Sequence, residues 1–282
     1  MRLRRLVLAV AFASSSWLMT PHLCAQASAI PSATPNPPDQ TGARGRKLLD
    51  QMIAALGGDA WLHRNTWAEY GKAASFYKGQ PNPYVSEFEQ YFRLRPYGQR
   101  VVIVSKQGVF IPTSKRDVAE VFTPTEGFEI TYKGKKALPK EVVDEYRLRR
   151  SHALDVLVLD WLPQPGLVIT YDGTDIVDRK LADKISLLTA NNDAASIYLD
   201  EGTHLPMSIS FQSRNATYHD FDTWTEQLND WHIFNGIQTP MTITRLKNGD
   251  MVSQRFLTKI DYTKPLPDDT FDPDRPLMKK VK

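Results

Sequence analysis

The feature that most constrains this chain is an alternation of apolar and polar residues that begins near residue 84 and, broken by turns, runs almost to the C-terminus. Between Tyr84 and Leu94, the residues Tyr84, Phe88, Phe92 and Leu94 fall on one side of an extended backbone. Glu87, Glu89, Arg93 and Arg95 fall on the other. Successive side chains of a strand point to opposite faces, so the pattern predicts a long antiparallel strand with one dry and one wet face. Further strands are expected at Arg100–Lys106, Asp117–Thr123, Leu167–Tyr171, Lys184–Thr189, Ala195–Leu199, Pro206–Gln212, Thr239–Leu246 and Val252–Tyr262. Turn dipeptides stand between the segments: Tyr97-Gly98, Lys133-Gly134, Asp172-Gly173, Glu201-Gly202, Asn235-Gly236 and Asn248-Gly249. Asn-Gly and Asp-Gly are the strongest of these, because a type I′ hairpin needs positive φ at both central residues. The expected product is one large meandering antiparallel sheet.

Two stretches follow a helical period instead. Leu48, Leu49, Met52, Ile53 and Leu56 share a face opposite Arg46, Lys47, Asp50 and Gln51, in a helix that starts near Gly42 and stops at Gly57-Gly58. Pro139 to Trp161 carries Val142, Val143, Tyr146, Leu154, Leu157, Val158 and Trp161 at three- and four-residue spacing, and Pro163 and Pro165 end it. Strands and helices do not alternate as in a parallel sheet. The expected class is therefore α+β, a curved sheet packed on helices, in a single domain over residues 42–282.

Residues 1–27 read as a secretory signal peptide: Arg2, Arg4 and Arg5, an apolar run from Leu6 to Met19, then small residues around Ala25-Gln26-Ala27. The Pro-rich segment 28–41 reads as an extended leader. A periplasmic location follows, with no membrane span once the signal is removed. The only cysteine, Cys24, follows Pro21-His22-Leu23, which is not a lipid-attachment pattern. Setting aside the three leader arginines balances the 35 basic residues against the 32 acidic ones, which removes the electrostatic case for nucleic acid.

Phosphate-binding glycine loops, zinc-protease helices, nucleophile elbows and cysteine pairs are all missing from the sequence. Three weaker clusters can be weighed. His219 and His232, expected on consecutive strands beside Asp220, Asp222 and Asp230, would have to converge to hold a metal and serve a hydrolase; an ordinary solvated face explains them better. Asp268, Asp269, Asp272 and Asp274 lie among prolines in an extended closing segment, with Phe271 pinned to the sheet, and do not form a calcium loop. Glu87 and Glu89 share a face with Arg93 and Arg95, which predicts surface ion pairing and not an acid–base pair. Neither a metal nor a cofactor is expected, and no catalytic residue is assigned. More informative is the surplus of aromatic residues, including Trp61, Trp67, Trp161, Trp224 and Trp231. A sheet coiling toward a barrel makes a concave apolar face that two helices do not necessarily fill.

Four segments resemble the outer-membrane lipoprotein carrier superfamily, the LolA/LolB-like fold that includes regulators of the RseB type. "LLDQMIAALGGDAWL" (Leu48 to Leu62) resembles its opening helix and Gly-Gly exit, and "IYLDEGTHLPMSISF" (Ile197 to Phe211) its strand–turn–strand hairpin. "FNGIQTPMTITRLKNGDMVSQRFLTKIDY" (Phe234 to Tyr262) and the closing "LPDDTFDPD" (Leu266 to Asp274) continue the likeness. The resemblance implies a half-barrel of antiparallel strands with helices on its concave side. It also implies non-enzymatic binding of lipid acyl chains or of a lipoprotein. Phe88, Phe92, Trp161, Ile209 and Phe211 are the expected contributors to the lipid-binding surface. The alternative function is a protein-interaction or sensor module of the cell envelope, with another envelope protein as partner.

Overall fold

The computed structural model describes residues 38–104, 117–215 and 217–277; the segment expected to be a signal peptide, most of the expected leader, Cys24 and the end of the expected Arg100–Lys106 strand lie outside them. Among the described residues, thirteen strands form one antiparallel sheet. β1 (Thr66–Tyr77), β2 (Gln80–Arg93), β3 (Gly98–Val104), β4 (Val118–Phe122), β5 (Gly127–Thr131) and β6 (Gly134–Ala137) make a meander leading outward from β1. A helical crossover then carries the chain to the far edge. From there β7 (Val168–Val177), β8 (Lys180–Leu188), β9 (Ala194–Asp200), β10 (Pro206–Asn215), β11 (Asp220–Phe234), β12 (Ile237–Lys247) and β13 (Asp250–Asp261) meander back until β13 pairs with β1. The sheet is open, with β6 and β7 as its edges. β6 is short and fully exposed and presents Lys135 and Lys136, a combination that discourages edge-to-edge pairing. The result is the expected curved half-barrel with helices against its concave face.

The two Asn-Gly hairpins form as expected, with positive φ at Asn235 and Gly236 and at Asn248 and Gly249. Asp172-Gly173 does not turn the chain. It is a bulge within β7, where the pairing with β8 shifts register after Tyr171, and Asp178-Arg179 makes the turn instead.

α1 (Pro38–Leu56) starts four residues earlier than expected, at a proline, which suits a first helical turn where no N–H partner is needed. Leu49, Met52 and Leu56 are wholly buried, each contributing about 1.5–3 kcal/mol of apolar transfer. The helix lies close on β7: a Cβ on Gly45 would stand 2.9 Å from the Ile169 side chain and 3.3 Å from the Tyr171 backbone nitrogen. At its exit Gly57 has φ 124°, and a Cβ there would sit 2.3 Å from the Gly236 carbonyl oxygen. α2 (Asp59–Leu62) follows at once and buries Trp61.

The second helical stretch is broken, contrary to the single helix expected. α3 (Lys140–Ser151) ends, Ala153 is extended, and α4 (Leu154–Val156) leads into a wider, π-type turn over Leu157–Trp161. The cause is local competition for one carbonyl. The Leu148 oxygen accepts from Ser151 Oγ and from His152 Nδ1, each at 2.8 Å, while the His152 backbone N–H turns back to Arg149.

The main core joins α1, Trp61, Leu157, Val158 and Trp161 to the inward residues of β7–β12. The opposite face of β1–β5 is covered by the C-terminal segment. Phe271 packs with Ala68 and Tyr91, and Leu277 packs on Ala119, Val121 and Ile130.

Candidate functional site

A cavity of about 230 Å³ lies between the helical crossover and the middle of the sheet. It is larger than the ~150 Å³ apolar cavities that take up benzene. It is smaller than the roughly 300–1,000 Å³ pockets that enclose drug-sized ligands. Inward residues of β1–β3 and β10–β13 line one side, and α3 and α4 contribute Tyr146, Arg149, Arg150, Leu154 and Asp155.

One wall is apolar. Trp67 and Phe92 are register partners on β1 and β2, and their rings stack with centroids 4.7 Å apart. Ile209 and Phe211 on β10 and Trp224 and Leu228 on β11 continue the surface. His152 lies flat on Phe211 at 4.0 Å and meets Trp161 edge-on at 5.3 Å. Burial lowers the imidazole's pKa, partly offset by the Leu148 carbonyl, so the ring is neutral at pH 7 and donates from Nδ1.

The other wall is ionic. Arg255 donates to Glu69 at 3.0 Å and to Gln90 at 2.6 Å, and the Trp67 indole N–H donates to the same Glu69 carboxylate at 3.0 Å. Arg245 donates to Glu226 at 2.7 Å. Arg150 grips Asp155 with two hydrogen bonds, at 2.7 and 2.5 Å. Burial pushes the Asp155 and Glu226 carboxyls up, but the adjoining Arg150 and Arg245 more than offset it and hold both below the ordinary carboxylate range. Arg64 stacks on the Trp61 ring at 3.9 Å and donates to the Trp61 carbonyl.

Of the residues expected to contact lipid, Phe92, Ile209 and Phe211 line this cavity. Phe88 shares their face of the sheet but lies beneath the Arg255 guanidinium, 5.3 Å from it, and does not line the cavity. Trp161 is packed into the core behind His152. The charged wall was not anticipated. Glu69, Gln90, Glu226, Arg245 and Arg255 sit at inward positions of strands, where sequence alternation alone reads a charged or polar residue as facing water, and Arg64, Arg150 and Asp155 come from the helical crossover and the turn before β1.

Of the weaker clusters, the tail closes on the sheet through Phe271 as expected, while the other two are arranged differently. His219 and His232 are not on consecutive strands. One precedes β11 and the other lies near its far end, thirteen residues or roughly 40 Å apart at the strand rise. Among the described residues no three His, Cys, Asp or Glu are grouped to hold a metal. In the tail, Asp269 pairs with Arg275 at 2.8 Å and Asp274 with Lys135 at 2.5 Å. The ion pairs expected of Glu89 with Arg93 and Arg95 do not form. Glu89 accepts from Tyr91, Arg93 donates to the Pro96 carbonyl, and Arg95 reaches Asp160. Among the described residues no helix is long and apolar enough to cross a membrane.

No protein-family model matches the sequence, and no curated protein is similar to it in sequence. Solved structures are similar in fold. A Vibrio parahaemolyticus domain named for outer membrane lipoprotein sorting superposes with a TM-score of 0.50 at 8% identity, over 82% of this chain and 97% of that one. A DUF1329 family protein from Desulfovibrio piger gives 0.50 at 10% identity, over 82% and 97%. A LolA superfamily protein from Nitrosomonas europaea gives 0.49 at 11% identity, over 80% and 96%. The chain shares its fold, an open antiparallel half-barrel with helices against the concave face, with the Vibrio parahaemolyticus domain and the Desulfovibrio piger protein.

Proposed function

We propose that this chain is an exported periplasmic protein that binds, without catalysis, an acyl chain of a lipid or lipoprotein in the cavity beneath α3 and α4. The observation that carries this reading is the apolar wall of Trp67, Phe92, Ile209, Phe211, Trp224 and Leu228 facing the cavity. Moving a chain from water onto such a wall is worth about 0.8 kcal/mol per methylene. The volume supports one chain segment, not several. A non-catalytic role is supported by the state of the Asp155 and Glu226 carboxylates, which are held ionised by arginines and so are poor general acids near neutral pH. The likeness in fold to a domain named for lipoprotein sorting is in keeping with this reading.

The test uses the chain without its leader and an uncharged fluorescent probe displaced by dodecanol. Saturable displacement is expected. Leu154→Trp, which fills the cavity from the α4 side at a half-buried position, should weaken dodecanol at least tenfold while leaving the far-ultraviolet circular dichroism unchanged. A wild-type protein that takes up neither probe nor alcohol, or a variant that binds as well as the parent, would sink the reading.

A further inference from the structure

The cavity lining contains five arginines, Arg64, Arg149, Arg150, Arg245 and Arg255, against three carboxylates, Glu69, Asp155 and Glu226. Each carboxylate is already taken: Glu69 by Arg255, Asp155 by Arg150 and Glu226 by Arg245. Arg64 and Arg149 are left over. Arg64 makes direct contact with a backbone carbonyl and two tryptophan rings, and shares the attraction of Asp155 with Arg150, which holds that carboxylate by hydrogen bonds. Arg149 reaches Glu145, its backbone oxygen at 3.4 Å and its carboxylate at 3.6 Å, and lies over the Trp224 ring at 5.6 Å; Glu145 is half-exposed and does not line the cavity, and Glu226, which also attracts Arg149, is already paired with Arg245. Two further polar groups in the lining are buried with no acceptor among the described residues, Nε of Arg150 and Nε of Arg255. Gln238 Oε1 is likewise unpartnered, and its amide can be turned to present a donor in the same place. Uncompensated cationic charge facing a cavity is costly, and an apolar tail alone does nothing to relieve it.

Resting on the acyl-binding reading above, we infer that the ligand is a single-chain anionic amphiphile. Its tail lies on the aromatic wall and its terminal oxyanion, a carboxylate or a phosphate, is received by one of the two surplus guanidiniums, Arg64 or Arg149. Guanidinium forks suit such oxyanions because they present paired donors in a plane. The assignment explains why one cavity combines a greasy wall with surplus arginine, and it excludes a purely hydrocarbon cargo as the best ligand.

A headgroup series at constant chain length tests it by the same displacement assay at pH 7.5. Dodecanoate or dodecyl phosphate should bind at least tenfold more tightly than dodecanol, and dodecyltrimethylammonium at least tenfold more weakly. Whichever anion leads identifies the headgroup class. Adding Arg149→Gln and Arg64→Gln together should bring the anions to the same affinity as the alcohol, with a far-ultraviolet circular dichroism spectrum matching the parent's to verify that the variant is folded. Equal binding of anion and alcohol by the wild type, or discrimination that survives both substitutions, overturns the oxyanion seat and leaves the acyl-binding reading intact. Failure of every amphiphile, the alcohol included, is instead the failure of that earlier reading. If the double variant does not fold, the wild-type series still decides the question.

Discussion

Replacing Glu69 with alanine is expected to lower the unfolding free energy by about 3 kcal/mol, because it strands a buried cation. Glu69 and Arg255 meet at 3.0 Å with little of either side chain exposed, and the same carboxylate accepts from the Trp67 indole. Burial already lowers the Arg255 pKa, and Glu69 is the foremost group opposing that shift. Without it, Arg255 keeps a single hydrogen bond, to the neutral Gln90 oxygen, and of its charged neighbours Arg245 repels it more strongly than Glu226 attracts it. Removing both partners should cost far less than removing one. The double substitution Glu69→Leu with Arg255→Met deletes the desolvation penalty along with the attraction, and should lie within about 1 kcal/mol of the parent. Urea unfolding of the two single variants and the double variant provides the measurement. A Glu69→Ala protein as stable as the parent would show that the pair is hydrated and that the ionic wall is not under electrostatic load.

The same inward charges explain which parts of the fold could be read from the sequence. β2, β10, β12 and β13 were legible because their alternation survives: Phe88 and Phe92, or Ile209 and Phe211, mark a dry face. β1 was missed. Its inward positions hold Trp67, Glu69 and Gly71, and its opposite face holds Ala68 and Tyr70 under the C-terminal segment, so neither face reads as uniformly apolar or polar. β11 was obscured in the same way by Glu226 between Trp224 and Leu228, and by Asp230, a turn-forming residue type whose φ is positive within the strand. The same interruption makes His219 and His232 read as residues of separate strands. The break after α3 depends on which donor wins the Leu148 carbonyl, a contest that helical periodicity does not register. Three cavity aromatics and aliphatics were legible, since wall residues obey the same alternation as core residues. The arginines were not, because a charge at an inward position has no sequence signature distinguishing it from one in water.

Arg100 is expected to act as the clasp of the C-terminal segment, and Arg100→Met to cost about 3 kcal/mol by releasing that segment. The side chain is 1% exposed, on the face of β3 away from the cavity. Its guanidinium donates to the backbone oxygens of Asp272, Arg275 and Pro276, at 3.5, 3.2 and 3.2 Å. Methionine keeps the volume but leaves those carbonyls without their donor. They regain partners only if the segment lifts into water, which in turn uncovers Phe271, itself 5% exposed and set against Gly98. Truncating Phe271 to alanine should by itself cost about 3–5 kcal/mol. If clasp and anchor hold one cooperative unit, the second substitution has little left to release, and the double variant should be clearly less destabilised than the two single losses added together. Limited proteolysis should then cut both single variants within residues 263–277, and dodecanol affinity should be unaltered because the cavity is on the other face of the sheet. Strict additivity, with no new cleavage, would mean that the segment stays docked and that Arg100 merely stabilises the strand it stands on.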